Sequence, residues 1–309
     1  MIKDINVGDK YDMSVVVMSS AIRTARNGKN YLDLEVFDGV DTINGKIWDW
    51  THANNIEKNA ILDLQGTMSE YLGAKQLGIT SYKRNLELPL ASFAPTSVFD
   101  PAEYLQKAFD LIDLIEPISL RELTKTVYND YTTEFLAVPG AKKVHHAFLA
   151  GTLVHSVDTA KKALAIARVT TGAHAGLCIA GALLHDLGKL KTYTVDGIVV
   201  EMTEDGEAFD HIPLGIQMLS GYLDATNHNL IWLLNHIIAS HHGKLEYGSP
   251  VTPHFLEAYI VNFADGIDAK SETIRALDSK STGDYTDKEW SLDNRRMLTR
   301  KRVHELIGG

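Results

Sequence analysis

The sequence predicts a multidomain β + all-α protein, a small β-barrel followed by a helical bundle, and three observations carry the prediction. Short alternating apolar runs separated by glycine turns fill roughly the first 85 residues, which is the period-2 signature of strands. Prolines and small residues then interrupt the pattern, and apolar spacing of three and four takes over from Pro101 onward. Of 13 histidines, 11 fall between His145 and His254, inside the helical part, where imidazole is the commonest metal ligand.

Taken in order, Tyr11–Ile22 is rich in Val and Met, and Arg26-Asn-Gly-Lys29 supplies a turn with glycine at its tip. Tyr31–Phe37 alternates, Asp38-Gly39 reads as a hairpin turn, and Thr42–Trp48 is its partner strand. A polar helical or looped segment, Thr51–Asn59, precedes two further strands, Ile61–Met68 and Gln76–Arg84. Five short strands with one interruption after the third predict an OB-type five-stranded barrel over residues 1–88. Residues 89–100 read as a linker, with Pro89, Pro95 and the small residues of Ala91-Ser-Phe-Ala-Pro-Thr-Ser97.

Asp100 as N-cap and Pro101 at the first helical position open a helical domain over residues 101–309. Helices are predicted over Ala102–Ile115, Leu120–Phe135, Lys142–Val169, Ala173–His185, Pro213–Leu223, Asn229–Ser240 and Pro253–Lys270, with a last one near Trp290–Leu306. A hairpin around Asp196-Gly197 interrupts them over Thr192–Glu201.

The formal net charge of −10 excludes nucleic-acid binding by bulk charge, so any such contact must come from local patches. No window holds a membrane-length apolar run, Met1-Ile-Lys-Asp-Ile lacks the apolar core expected of a secretory signal, and the single Cys178 leaves no intrachain disulfide to form. These features point to the reducing cytoplasm with no membrane partner; self-association through the barrel and bundle is open.

In the barrel, Tyr31, Trp48, Trp50, Tyr71 and Tyr82 are candidates for base stacking, with Arg23, Arg26, Lys29, Lys46 and Lys75 along a backbone path. Inside and outside alternate on barrel strands, so about half of these aromatics are expected in the core. The basic run Arg295, Arg296, Arg300, Lys301, Arg302 reads by default as a solvated helix face.

The helical half places metal-type ligands beside apolar helical faces at five points: His155, the pair His185-Asp186, His211, the pair His241-His242, and Asp265. Buried polar groups of this kind must be hydrogen-bonded or metal-bound. Imidazoles mixed with carboxylates suit Mn²⁺, Fe²⁺, Co²⁺ or Zn²⁺ better than Ca²⁺. In an adjacent His-Asp pair the carboxylate can bridge two ions, and two ions can clamp a phosphate and lower the pKa of water, which is phosphoester hydrolysis. His236, five residues before His241, lies roughly 140° around an ideal helix from it and reads as near the site or facing substrate rather than as a ligand. His145 and His146 are candidates to approach the phosphate, with a helix-start role as the alternative.

The order His…His-Asp…Asp resembles the HD superfamily of metal-dependent phosphohydrolases, and His211 and His241-His242 resemble the additional ligands of its two-ion members. That resemblance implies a first site of His155, His185, Asp186 and Asp265. It implies a second of Asp186, His211 and His241, with His242 as an alternate ligand. Lys189, in His185-Asp-Leu-Gly-Lys189, corresponds to a phosphate-facing lysine, so Asp186 and Lys189 are the expected catalytic pair. Pro139-Gly-Ala-Lys-Lys-Val-His-His-Ala-Phe148, Ser240-His-His-Gly-Lys-Leu-Glu-Tyr-Gly-Ser-Pro250 and Asp265-Gly-Ile-Asp-Ala-Lys270, with Asn27-Gly-Lys-Asn-Tyr31 and Lys46-Ile-Trp48 in the barrel, look like the YhaM family. Gly140 and Ala150 depart from its pattern, Ala150 standing where the first of two glycines is expected.

The resemblance implies a 3′→5′ exoribonuclease with two divalent ions, Mn²⁺ first and Co²⁺, Fe²⁺ or Zn²⁺ as alternatives. Its substrate would be single-stranded RNA, with single-stranded DNA as a further substrate, and nucleoside monophosphates would be released. A phosphodiesterase for cyclic or oligomeric signalling nucleotides is the nearest competitor; a non-catalytic nucleic-acid-binding regulator is another, which the complete ligand set argues against.

Overall fold

A computed structural model describes residues 2–93, 99–140, 149–196 and 199–308. His145 and His146 lie outside the described residues. The chain divides into two compact units, residues 1–96 together with 195–200, and the remainder. Among the described residues no helix is long and apolar enough to cross a membrane.

The first unit is a closed barrel of β1 (Lys10–Thr24), β2 (Asn30–Phe37), β3 (Thr42–Ile47), β4 (Ile61–Tyr71) and β5 (Ala74–Arg84) in the order β1-β2-β3-β5-β4. Neighbours are antiparallel except β3 with β5, which run parallel and close the barrel. Alternation decides what is inside: Leu32, Leu34 and Val36 of β2 are buried with Val15, Val17, Leu62, Leu64 and Leu77. No helix forms over Thr51–Asn59. Leu90–Phe93, read from sequence as linker, forms a 3₁₀ turn, and Phe93 is buried against Val16 and Ile61.

The second unit is helical. Its elements are α1 (Pro101–Ile112), α2 (Ile118–Asp130), α3 (Thr132–Ala137), α4 (Gly151–Val169), α5 (Ala175–Leu184), α6 (Lys189–Thr192), α7 (Glu204–Phe209), α8 (His211–Ser220), α9 (His228–Ser240), α10 (Leu256–Lys280) and α11 (Arg300–Leu306). Between α6 and α7, strands β6 (Tyr193–Asp196) and β7 (Val199–Met202) pair as expected of the hairpin; their residues 195–200 group with the first unit, and residues 197 and 198 of the predicted turn lie outside the described residues. Asp100 caps α1 as its sequence position suggests, accepting from the Ala102 amide at 2.9 Å.

Four helix predictions differ from the structure. Of Lys142–Val169, residues 142–148 lie outside the described residues, and α4 begins only at Gly151, after left-handed Ala150 (φ 61°). Leu120–Phe135 is two helices, because Tyr131 leaves helical geometry (φ −112°, ψ 21°) and ends the first. Pro253–Lys270 begins at Leu256 and continues to Lys280. Trp290–Leu306 is a 3₁₀ turn followed by α11, because Asp293 and Asn294 take left-handed backbone (φ 56° and 59°) between them.

Helix α5 sits at the centre. Its sequence, Ala-Gly-Leu-Cys-Ile-Ala-Gly-Ala-Leu-Leu, is apolar all round, as a helix packed on every side requires, and only its first residue escapes burial. The fully buried Tyr128 of α2 donates from its hydroxyl to the Leu183 carbonyl at 3.0 Å, satisfying an acceptor that the helix end leaves free.

Candidate metal centre

Each cluster residue occupies a helix position that its neighbours explain. His155 lies in the first turns of α4, His185 is the C-cap of α5, and His241 is the C-cap of α9. His211 opens α8 behind Asp210, and Asp265 lies midway along α10. Gly188 is what lets α8 come so close. A methyl at that position would run into the backbone of His211 and Gly215, so only glycine admits His211 beside Asp186. Gly243 (φ 77°) plays a similar part, since a side chain there would meet Asn262, whose amide donates to the His241 carbonyl at 2.6 Å.

Two groups of donor atoms share Asp186. In the first, His155 Nε2 lies 3.1 Å from His185 Nε2, 3.5 Å from Asp186 Oδ2 and 3.2 Å from Asp265 Oδ1. His185 Nε2 lies 3.4 Å from Asp186 Oδ2 and 3.9 Å from Asp265 Oδ1. In the second, His211 Nε2 and His241 Nε2 each lie 3.7 Å from Asp186 Oδ1. His242 joins His211 and His241 in a ligand-spaced group, half-buried where His241 is fully buried. A bond of about 2.1 Å to a common ion sets neighbouring ligand atoms about 3.0–3.5 Å apart. The first group fits that spacing closely and the second is slightly wider.

A second observation tests the fit. Asp186 Oδ1, His211 Nε2 and His241 Nε2 are buried and have no hydrogen-bond partner. Three orphaned polar atoms aimed at one point are costly unless a cation satisfies them. The rings are also pre-set for it. Nδ1 of His155 faces Asp268, that of His185 the Ala182 carbonyl, that of His211 Asp210, that of His241 the Ile238 carbonyl, and that of His242 the Tyr247 carbonyl. Nδ1 therefore carries the proton, and in His155, His185, His211 and His241 the Nε2 lone pair is left for the cluster.

Charge follows the same plan. Burial, then the neighbouring His242 and His185, hold the His241 imidazole well below its usual pKa, so it is neutral as a ligand must be. Burial raises Asp186, yet Lys189 and then His185 outweigh it and hold the carboxyl well below the usual range. His155 differs: burial alone would lower it, but Asp265 and Asp268 hydrogen-bond to it and push it up to about 9, so an ion must displace the Nε2 proton to use that lone pair. Lys189 donates to Asp186 Oδ2 at 2.6 Å, and this carboxylate keeps the half-buried ammonium charged against the cost of desolvation.

His236 is in none of the ligand-spaced groups among the described residues. It packs with Trp232, His254 and Phe255, and its Nε2 accepts from the His254 amide at 3.1 Å. Sequence reasoning assigned no role to Asp268, Lys162 or Asp210. The signal for Asp268 was its position three residues after Asp265, one helical turn along the same face.

On the barrel, Tyr31, Trp48 and Lys46 gather on the outer surface. The rings of Tyr31 and Trp48 lie 5.0 Å apart, and Lys46 Nζ stands 5.3, 5.7 and 5.3 Å from the Tyr31, Trp48 and Tyr71 rings. Trp48 and Tyr71 are more than half exposed, while Trp50 is buried in the barrel core. Lys29 is exposed and ion-paired with Asp49 at 2.8 Å.

An HD-domain family model matches residues 152–270, which contain every candidate ligand. The 3′-5′ exoribonuclease YhaM of Bacillus velezensis is 31% identical over 300 residues, covering 94% of each chain. Proteins of the same name from Bacillus licheniformis and Bacillus subtilis are each 30% identical, again over 94% of both chains. With 30–31% identity along nearly its whole length and an HD-domain match over residues 152–270, the chain belongs to the YhaM family of HD-domain 3′-5′ exoribonucleases.

Proposed function

We propose that this protein is a divalent-metal-dependent exonuclease that hydrolyses single-stranded RNA from its 3′ end and releases nucleoside monophosphates. The observation that carries the reading is Asp186, whose two oxygens face two different imidazole groups, in a chain whose relatives are named as exoribonucleases. His155, His185, Asp186 and Asp265 would hold one ion; Asp186, His211 and His241, with His242, would hold the second. Bound there, divalent ions supply Lewis-acid charge to phosphate oxygens and lower the pKa of water. The imidazole–carboxylate donor set suits Mn²⁺, Co²⁺, Fe²⁺ and Zn²⁺, and we take Mn²⁺ first on the family resemblance.

The chain's own residues supply the rest. Lys189, kept protonated by Asp186, would bind a non-bridging phosphate oxygen. Hydrolysis adds the water oxygen to phosphorus and breaks the bond to O3′, which leaves with a proton as the new terminal hydroxyl. We assign residues 1–88 as the nucleic-acid-binding domain, with Tyr31, Trp48 and Tyr71 stacking bases and Lys46 and Lys29 near phosphates, and residues 101–309 as the hydrolase. A lone, buried Cys178 suits a reducing cytoplasm.

The test is Mn²⁺-supplemented digestion of a 5′-labelled single-stranded RNA, beside matched DNA and an EDTA control. A ladder shortening from the 3′ end and absent with EDTA is the expected result. No cleavage of either polymer, with turnover of cyclic dinucleotides instead, would overturn the RNA assignment and leave the phosphodiesterase chemistry standing.

A further inference from the structure

The acceptor behind each cluster imidazole depends on where the histidine sits in its helix. His185 and His241 are C-caps, and they use the carbonyls of Ala182 and Ile238, three residues back, in a last turn whose carbonyls lack helical partners. His211 starts α8 and uses the N-cap residue Asp210. His155 has neither option. It is inside α4, where the preceding carbonyls are committed to helical hydrogen bonds, so its acceptor must come from another element. That acceptor is Asp268 of α10, with Oδ2 2.6 Å from Nδ1.

Asp268 is itself buried, 5% exposed, and stands one turn from Asp265 on the same helix. Two carboxylates so placed repel each other unless a cation intervenes. Lys162 provides it, donating to Asp268 Oδ1 at 2.6 Å. It lies seven residues after His155, two turns along the same face of α4, and helix side chains lean toward the N-terminus, so its ammonium reaches back toward His155. One carboxylate thus joins two residues of α4 and ties them to α10.

We propose that Asp268, held by Lys162, is the positioning residue for His155: it fixes the ring's orientation and keeps the Nε2 lone pair turned to the ion. The inference rests on the metal-dependent reading above and deepens it, because it names what makes His155 a competent ligand. Carboxylates behind ligating histidines act this way by setting the tautomer and raising ligand basicity, and their loss costs about 10–100-fold in metal affinity.

The experiment is a Co²⁺ titration of the metal-free full-length protein, followed by calorimetry and by visible absorption, with the apo melting temperature measured alongside. Asp268→Ala is expected to weaken one of the two ions by about 10–100-fold and leave the other unchanged. Asp268→Asn, which still accepts from His155, and Lys162→Met are expected to fall between wild type and Asp268→Ala. Raising Mn²⁺ is expected to restore cleavage by these variants. A lower apo melting temperature with wild-type Co²⁺ affinity in all three would reduce Asp268 to a strut between helices and overturn the proposal. If Asp268→Ala does not fold, Asp268→Asn and Lys162→Met decide by the same readout. If the wild type binds no Co²⁺, or His155→Ala binds as wild type does, the metal reading falls and takes this inference with it.

Discussion

Lys189 and Asp186 form an ion pair of 2.6 Å in which the carboxylate is shared: Oδ2 takes the ammonium, while Oδ1 turns to His211 and His241. A single side chain thereby sets the charge of the lysine and links both donor groups. Asp186→Asn keeps the shape and removes the charge. It is expected to lower RNA hydrolysis by more than about 10³-fold, at or beyond the upper end of losses from deleting one preorganised electrostatic group. Circular dichroism should show the fold retained, and bound metal after dialysis should fall. Wild-type turnover by this variant would remove Asp186 from the centre of the mechanism.

Gly188 sits against the backbone of His211 and Gly215. Gly188→Ala is expected to push α8 away and destabilise the helical unit by about 1–3 kcal/mol, the usual cost of overpacking. Thermal melting should register this as a drop of roughly 2–4 °C per kcal/mol. Activity should fall further than stability explains, because His211 moves with the helix. An unchanged melting temperature would mean that the approach of α8 is looser than the structure has it.

Ala150 enters α4 in left-handed backbone (φ 61°), where its Cβ is strained, and glycine is the residue the family pattern expects there. Ala150→Gly removes strain of about 1–2 kcal/mol but loosens the unfolded chain by about 0.5–1 kcal/mol. The balance is a gain of up to about 1.5 kcal/mol, visible as a melting temperature a few degrees higher. A lower melting temperature would show that this backbone position carries no such strain.

Trp48 and Tyr71 are exposed around Lys46 on the barrel surface. Replacing each by Ala is expected to weaken binding of a 20-nucleotide single-stranded RNA by about 1–3 kcal/mol per lost stack. Turnover of a minimal dinucleotide should hold steady. Fluorescence anisotropy against initial rates separates the two; equal losses in both would indicate damage to the barrel core instead.

Much of the architecture was legible because each signal is local. Periods of 2 and 3.6 distinguish barrel from bundle without any knowledge of partners, and Asp100-Pro101 marks the start of α1 through chemistry within three residues. Trp48 and Trp50 show where local rules stop. Two residues apart, they would share one side of an ideal strand, yet Trp48 is 53% exposed and Trp50 is 7% exposed. β3 ends at Ile47, and Asp49 turns left-handed (φ 54°) between the two rings, sending the second into the core.

The candidate site divides in the same way. By itself the sequence determined which donor types exist, their order, and that each adjoins an apolar helical run, since composition and periodicity are properties of the chain. Tertiary packing alone decided that His211 meets Asp186 while His236 turns to Trp232 and Phe255, and that Asp268 stands behind His155. The reason is one of distance. The donors span residues 155 to 265 on five separate segments, and separations of 3–4 Å between them are set by how closely helices pack. A methyl group at Gly188 would undo that packing, although it would barely alter the helical pattern of the sequence.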